Sequence, residues 1–346
     1  MPAHPSNPSR PRTRHDFEIA VICALPLEAD AVAAVFERQW DSRTYGKATG
    51  DTNTYSTGAI GHHNVVLVHL PNMGKVAAAT AAAFLRTSYE RIKLALLVGI
   101  CGGVPFGNSS NGEILLGDVV ISDGIIQYDL GRRFPHAFVR RNHVRDNLPR
   151  PGPLARTFLA MLQAQEARAW LQEQTLKNAN ALRQKPSYTA IQPNPADDRL
   201  FKAKYRHKHH EPSDCLTCGS GATDVCEAAL KLSCEELGCD ERESVFRARA
   251  TTTSITPTIH FGLVASGDSV MKSGEDRDLV ASQEDVIAFE MEGAGVWDTF
   301  VDCLIIKSVC DYADSHKSKK WQTHAATTAA AATKAILEKW NTGKCL

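Results

Sequence analysis

The chain lacks an excess charge of either sign: 39 Lys+Arg stand against 39 Asp+Glu in 346 residues. Broad attraction to nucleic acid or to an anionic membrane surface needs a basic excess, so neither partner is expected. No stretch reaches the roughly 18 consecutive apolar residues that a membrane helix needs. The first 15 residues are rich in Pro, Ser and Arg and carry no apolar core of a secretory signal. They are read as a disordered tail, followed by one domain over residues 16–346. No internal repeat is apparent, and aromatics make up only 7%. What remains is a soluble globular chain, 43% hydrophobic and 23% charged, expected in the cytoplasm.

Cysteine is not scarce. Cys23, Cys101, Cys303 and Cys310 lie in or beside apolar runs, whereas Cys215, Cys218, Cys226, Cys234 and Cys239 crowd into one polar stretch. A secreted disulfide scaffold would be shorter, so reduced thiols are expected. Cys215-x-x-Cys218 beside His207, His209 and His210 begins a zinc pattern. The usual second Cys-x-x-Cys or His-x₃-His pair is missing, and the other cysteines are irregularly spaced. The expectation is therefore no metal and no cofactor, with a Cys215–Cys218 disulfide as a further alternative.

Apolar runs alternate with helical patterns. Strands are expected at Phe17–Cys23, Asn64–Leu70, Leu94–Val98, Ile114–Ser122, Ile259–Ser266, Val286–Phe289 and Cys303–Cys310. Helices are expected at Leu27–Arg38, Lys75 to about Ser88, Leu154–Arg183, Gly293–Phe300 and Trp321 to about Trp340. Runs that are apolar throughout and joined by helices indicate a mostly parallel sheet buried on both faces, in a three-layer α/β/α fold. The polar, His/Cys/Lys-rich middle reads as an insertion at about 150–255.

In open α/β sheets ligands bind at the carboxyl ends of the strands. Glu28 follows the first run, Gly74 the second, and Gly99-Ile100-Cys101-Gly102-Gly103 the third. Glu290-Met291-Glu292 follows the run at 286–289, and Asp311 the last. Glycines let a ligand approach the backbone, and a helix start at Gly74 favours a polar ligand edge. Each feature alone has a plain structural explanation; together they mark a site. The set suits cleavage of a bond between a sugar and a nitrogen base. Such a reaction needs an acid for the leaving base, carboxylates against an oxocarbenium-like sugar, and a base for water.

The motifs VICALPLEADAV, NMGKVAAATAAAFL, LLVGICGGV, GDVVISDGI, GLVASGDSVM, AFEMEGAGV and SVCDYADSHK carry a family resemblance. In that order they resemble the purine nucleoside phosphorylase/uridine phosphorylase superfamily, nearest its methylthioadenosine nucleosidase and fungal branches. The resemblance implies that Asp311 protonates the purine and that Glu28 positions or deprotonates water. Glu292 would hold the ribose hydroxyls with Met291 beneath the sugar and Glu290 beside it. Gly102, Gly103, Val270 and Met271 would border the base, and Lys307 would stand near the catalytic acid. It also implies a purine nucleoside or nucleotide as small-molecule partner and a homo-oligomer. Phosphorylases of the superfamily bind phosphate with an Arg and a Ser where this chain has Leu97 and Ile100. Hydrolysis is thus expected over phosphorolysis, which stays the first alternative.

Two basic groups, Lys202–His210 and His316–Lys320, read either as solvated loop charge or as contacts to substrate phosphates. The second reading would make AMP or ATP the substrate, as in effector modules of immune-receptor-like proteins. A non-catalytic nucleoside-sensing module is the remaining alternative.

Overall fold

The structure, a computed structural model, describes residues 9–107, 112–143, 145–210, 215–219, 225–251 and 256–341. The elements run in chain order β1 (Ile19–Cys23), α1 (Pro26–Val35), β2 (Arg38–Trp40), β3 (Thr54–Ile60), β4 (His63–His69), α2 (Lys75–Ser88), β5 (Leu94–Gly103) and β6 (Val119–Gln127). A small hairpin follows, β7 (Gly131–Phe134) and β8 (Ala137–Arg140), then α3 (Pro153–Gln163), α4 (Gln165–Arg183) and the single turn α5 (Cys234–Leu237). The chain closes with β9 (Ile259–Ser266), α6 (Gly274–Glu284), β10 (Val286–Glu290), α7 (Gly293–Val296), β11 (Cys303–Asp311) and α8 (Gln322–Lys339).

Nine strands form one sheet in the order β10-β9-β6-β11-β5-β1-β4-β3-β2. The expected parallel character holds for β1 with β4 and β5, β5 with β11, β6 with β9, and β9 with β10. The sheet as a whole is mixed. β6 runs antiparallel to β11, the β2–β3–β4 edge is antiparallel, and the end of β5 pairs antiparallel with β10. That last pairing sets Phe289 opposite Gly102 and joins β10, β9, β6, β11 and β5 into a closed ring. The expectation rested on runs buried on both faces, and such burial does not by itself exclude an antiparallel neighbour in a mixed sheet.

Both faces are covered. Ile19, Val21 and Cys23 of β1 share a core with α1, α3, α4 and α8. The intervening Ala20 and Ile22 share the other core with Ala78, Ala82 and Leu85 of α2 and Val296 of α7. This is the period of two expected of a strand buried on both sides. Helix α8 is lined with buried alanines, Ala325–Ala326 and Ala329–Ala332, whose small side chains admit close packing.

Three expectations change. Thr13 caps a turn at Arg14–Asp16 and Pro11 is buried, so residues 9–15 have definite structure, while 1–8 lie outside the described residues. The helix expected at Leu154–Arg183 is two helices, because Ala164 is extended (φ −60°, ψ 142°). Those helices put Phe158, Leu159, Leu171 and Leu182 into the main core. The segment outside the sheet layers therefore starts near residue 184, not 150. From there to 258 the described residues hold short 3₁₀ turns, an isolated bridge between Phe201 and Ser244, and α5, with a small apolar cluster around Cys218, Ala229 and Leu237.

Candidate active site

Each acid owes its place to a local reason. Pro26 opens α1, and Leu25 has no side chain able to cap it. Glu28 does so from within the helix: its Oε2 accepts from the backbone N–H groups of Ala24 and Leu25, both at 2.9 Å. Its Oε1 accepts from Ile100 N at 2.8 Å, which ties α1 to β5. At the end of β10, Glu290 accepts from the N–H groups of Glu292 and Gly293, both at 2.9 Å, and so caps α7. Asp311 ends β11, where a register shift against β5 re-aims the strand. Its Oδ1 accepts from Ala313 N at 2.8 Å and from Lys317 Nζ at 2.6 Å.

Lys307 lies on the floor. It is 1% exposed, with Nζ 3.2 Å from Glu292 Oε2 and 3.8 Å from Glu28 Oε1. Burial alone would lower its pKa; Glu28, Glu292 and Glu290 outweigh that and raise it, so the ammonium stays charged. Burial and the neighbouring Glu292 charge raise the pKa of Glu290. One ammonium thus stands against Glu28 and Glu292, with Glu290 as the third buried carboxyl group nearby.

A cavity of about 230 Å³ lies above this floor, lined by Glu28, Ile100, Gly102, Val270, Met271, Glu290, Met291, Glu292 and Asp311. The structure thus brings most of the sequence candidates to one space. Three it does not. Lys307 is not among the lining residues; it sits beside Glu28 and Glu292. Gly103 faces the side chains of Val309 and Ile114. Gly74 points its N–H at Glu292 Oε1, 3.4 Å away, so it serves the acid first.

Two of the glycines also make room for the protein's own acids. A Cβ on Gly99 would fall on the Glu28 carboxylate, and one on Gly102 would meet Ala313 Cβ at 2.9 Å and Asp311 Oδ1 at 3.0 Å. The backbone is bare there so that the protein's own acids can approach it. Sequence reasoning did not place Met73, Ser269, Phe289 or Gln322 at the cavity. It read Lys317 as loop charge or as a contact to substrate phosphate, not as the partner of Asp311, because no periodicity links a loop lysine to an acid six residues earlier.

The basic groups are largely engaged with protein. Lys202 pairs with Glu243 at 3.1 Å, Arg206 with Glu275 at 3.7 Å, and Lys320 with Asp197 at 3.5 Å. The loop after Asp311 is held by the middle segment. Tyr312 donates to Asp198 at 2.7 Å, Arg247 bonds both, and Ser315 accepts from His207 N at 3.0 Å.

Residues 18–338 match the model of the phosphorylase superfamily. The chain belongs to that superfamily. Among curated proteins, it is 32% identical over 328 residues to a nucleotide-binding leucine-rich repeat (NLR)-like protein of Hyaloscypha variabilis. The match covers 93% of this chain and 29% of that protein's length. Among solved structures, it is similar to the 5′-methylthioadenosine/S-adenosylhomocysteine nucleosidase of Neisseria meningitidis in complex with methylthio-immucillin-A. That likeness has a TM-score of 0.52 and 17% identity, covering 95% of this chain and all of the other. The Streptococcus pneumoniae MTA/SAH nucleosidase in complex with 8-aminoadenine gives 0.53 and 19%, covering 93% and 99%. The futalosine hydrolase of Helicobacter pylori gives 0.52 and 13%, covering 94% and 99%. At these identities the structural likenesses establish the fold.

Proposed function

We propose that the chain is a purine nucleoside N-ribohydrolase, releasing free base and ribose. Asp311 protonates the leaving base and Glu292 accepts hydrogen bonds from the ribose hydroxyls. Met291 packs under the sugar, and Val270 and Met271 flank the base. Glu28 activates the water. A carboxylate has about four acceptor positions, and three of Glu28's are taken by backbone N–H groups. The fourth is left for a water or for Lys307. The three bonds fix the carboxylate for the attack, which is what a positioned base needs.

The observation that carries hydrolysis over phosphorolysis is the state of the cations. Lys317 in the cavity wall and Lys307 beneath it are each ion-paired with a carboxylate, and no arginine is among the lining residues described. Leu97 is fully buried in the core and Ile100 lines the cavity. A phosphate dianion would lack the forked donor that usually stabilises it. In this reading Asp311 becomes a proton donor only once Lys317 leaves Oδ1, so substrate entry and movement of that side chain are linked.

A nucleotide substrate is the second reading. A neighbouring cavity of about 690 Å³ shares Asp311 and Lys317 with the first and is also lined by Lys272, Lys319 and Lys320. Such a chain would deplete nucleotide as the effector part of a longer protein. A homo-oligomer belongs to the same proposal: Met73, Val76 and Val270 are 51%, 77% and 49% exposed around α2 and the cavity rim, and sedimentation of the purified chain tests it. Product chromatography tests the reaction with adenosine, inosine, guanosine, AMP and ATP, with and without phosphate. Base and ribose in phosphate-free buffer are expected. Ribose 1-phosphate formed only with phosphate would overturn hydrolysis. Binding without turnover across the panel would leave a sensing module instead.

A further inference from the structure

The middle segment gathers its cysteines and histidines into two sets. One ligand atom from each of His209, Cys215, Cys218 and Cys226 lies within 4.8 Å of every other. The same holds for His207, Cys239 and His316. Cys234 stands beside the second set, its Sγ 3.6 Å from His207 Nδ1, and is the nearest candidate for a fourth ligand there. We propose that these are two tetrahedral zinc sites, Cys₃His and Cys₂His₂, which fold the segment and fasten it to the loop that follows Asp311.

The distances fit the chemistry. With Zn–S of about 2.3 Å and Zn–N of about 2.0–2.1 Å, a tetrahedron places sulfur and nitrogen about 3.6 Å apart. Cys226 Sγ is 3.5 Å from His209 Nδ1, and Cys239 Sγ is 3.7 Å from His207 Nδ1. The His207 ring is oriented as ligand histidines usually are. Its Nε2 is 2.9 Å from the carbonyl oxygen of Leu232, which takes that N–H and leaves Nδ1 facing the thiols. His316 supplies an independent observation. Its side chain is 3% exposed, and neither buried ring nitrogen has a hydrogen-bond partner; the nearest charged oxygen is Asp314 Oδ1, 3.9 Å from Nδ1. A buried imidazole with both nitrogens unsatisfied is costly unless something coordinates it.

The need for metal follows from packing. The segment's own apolar cluster consists of Cys218, Ala229 and Leu237, with Cys215, Val225, Cys226, Leu232 and Cys239 around them. So small a core cannot offset the ordering of its loops, and small modules of this kind are usually stapled by disulfides or metal. None of the nine described cysteines is in a disulfide. Thiolate-rich tetrahedral sets select zinc over the oxygen-seeking cations. The expectation of no metal came from spacing alone: the ligands arrive from separate loops, and His316 from 77 residues beyond Cys239, so no compact sequence pattern exists.

The second site has a mechanical consequence. His316 is next to Lys317, whose ammonium holds Asp311 at 2.6 Å. Zinc at His316 would fix the loop on which Lys317 pivots. This consequence rests on the proposed role of Asp311; the metal sites do not.

The test is elemental analysis of the full chain purified without chelator. About two zinc per chain are expected, with Cys218→Ser/Cys226→Ser and Cys239→Ser each removing one. One zinc that only Cys218→Ser/Cys226→Ser removes overturns the second site; one that only Cys239→Ser removes overturns the first. No zinc, iron in its place, or disulfides found by thiol titration of the unreduced chain overturns both. Because these variants can fail to fold, the wild-type chain gives a second readout. Stripping metal should open residues 200–250 to limited proteolysis, and zinc should restore resistance. Equal digestion of stripped and reloaded chain counts against the proposal. Neither measurement depends on turnover.

Discussion

Replacing Lys307 by Met separates a charge network from a mere salt-bridge inventory. The residue is 1% exposed and faces Glu292 at 3.2 Å and Glu28 at 3.8 Å. At an effective dielectric constant of about 20, those two attractions come to about 5 and 4 kcal/mol. Desolvation of three buried ions offsets much of that sum. What a truncation measures is the cost of leaving carboxylates buried without a counter-charge, about 3–5 kcal/mol. With an unfolding entropy of about 2.1 cal/mol/K per residue, 346 residues give roughly 0.7 kcal/mol/K. The midpoint of cooperative unfolding should therefore fall by about 4–7 °C. The decisive assay is a double-mutant cycle by denaturant unfolding. Glu292→Gln removes one orphaned charge, so the double variant should recover at least about 1.5 kcal/mol of the loss. A coupling below about 0.5 kcal/mol would refute the network, because it would mean that the two groups do not depend on each other.

Three further outcomes follow from the same geometry. Asp311→Asn keeps the fold and should lower kcat by about 10²–10⁴-fold, the usual contribution of a positioned acid; wild-type activity in steady-state assays would remove Asp311 from the mechanism. Gly99→Ala places a methyl group on the Glu28 carboxylate. It should cost about 1–3 kcal/mol by breaking buried hydrogen bonds and reduce turnover at least tenfold, and an active, stable Gly99→Ala enzyme counts against Glu28 as the base. Stability should also fall with acid. Burial lowers the pKa of His63 to about 4 from the ordinary 6.5, and burial with Arg183 lowers that of His324 to about 3. Below pH 6.5 the unfolded chain binds protons that these rings refuse, so stability drops as pH falls from 6.5 toward 4, by at most about 1.4 kcal/mol per unit for each histidine. Thermal unfolding across that range measures it, and a slope unchanged in His63→Gln would exclude His63 as a source.

The sequence was most informative where structure is local. Strand ends followed by acids pointed to Glu28, Glu290, Glu292 and Asp311, and all four line one cavity. The Ala-rich pattern after Gly74 and the apolar runs at 259–266 and 303–310 became α2, β9 and β11 close to their expected bounds. β3 went unseen because TYSTGAI mixes polar and small residues and draws its stability from pairing with β4. The break at Ala164 was invisible because alanine favours helix, and the extended turn there is imposed by packing.

Order and type of residue, then, determined the superfamily, the alternation of layers and the rim on which the acids stand. Periodicity records how each segment is buried, and that information is held within a few neighbours. Which strands adjoin is decided by pairing across hundreds of residues. Only β11 lying beside β5, with β1 on its other side, brings Lys307 between Glu28 and Glu292. Only the loop after Asp311, folded back on itself, joins Lys317 to the acid. The two thiol–imidazole sets belong to the same class: their members come from loops without a period, and tertiary structure alone assembles them.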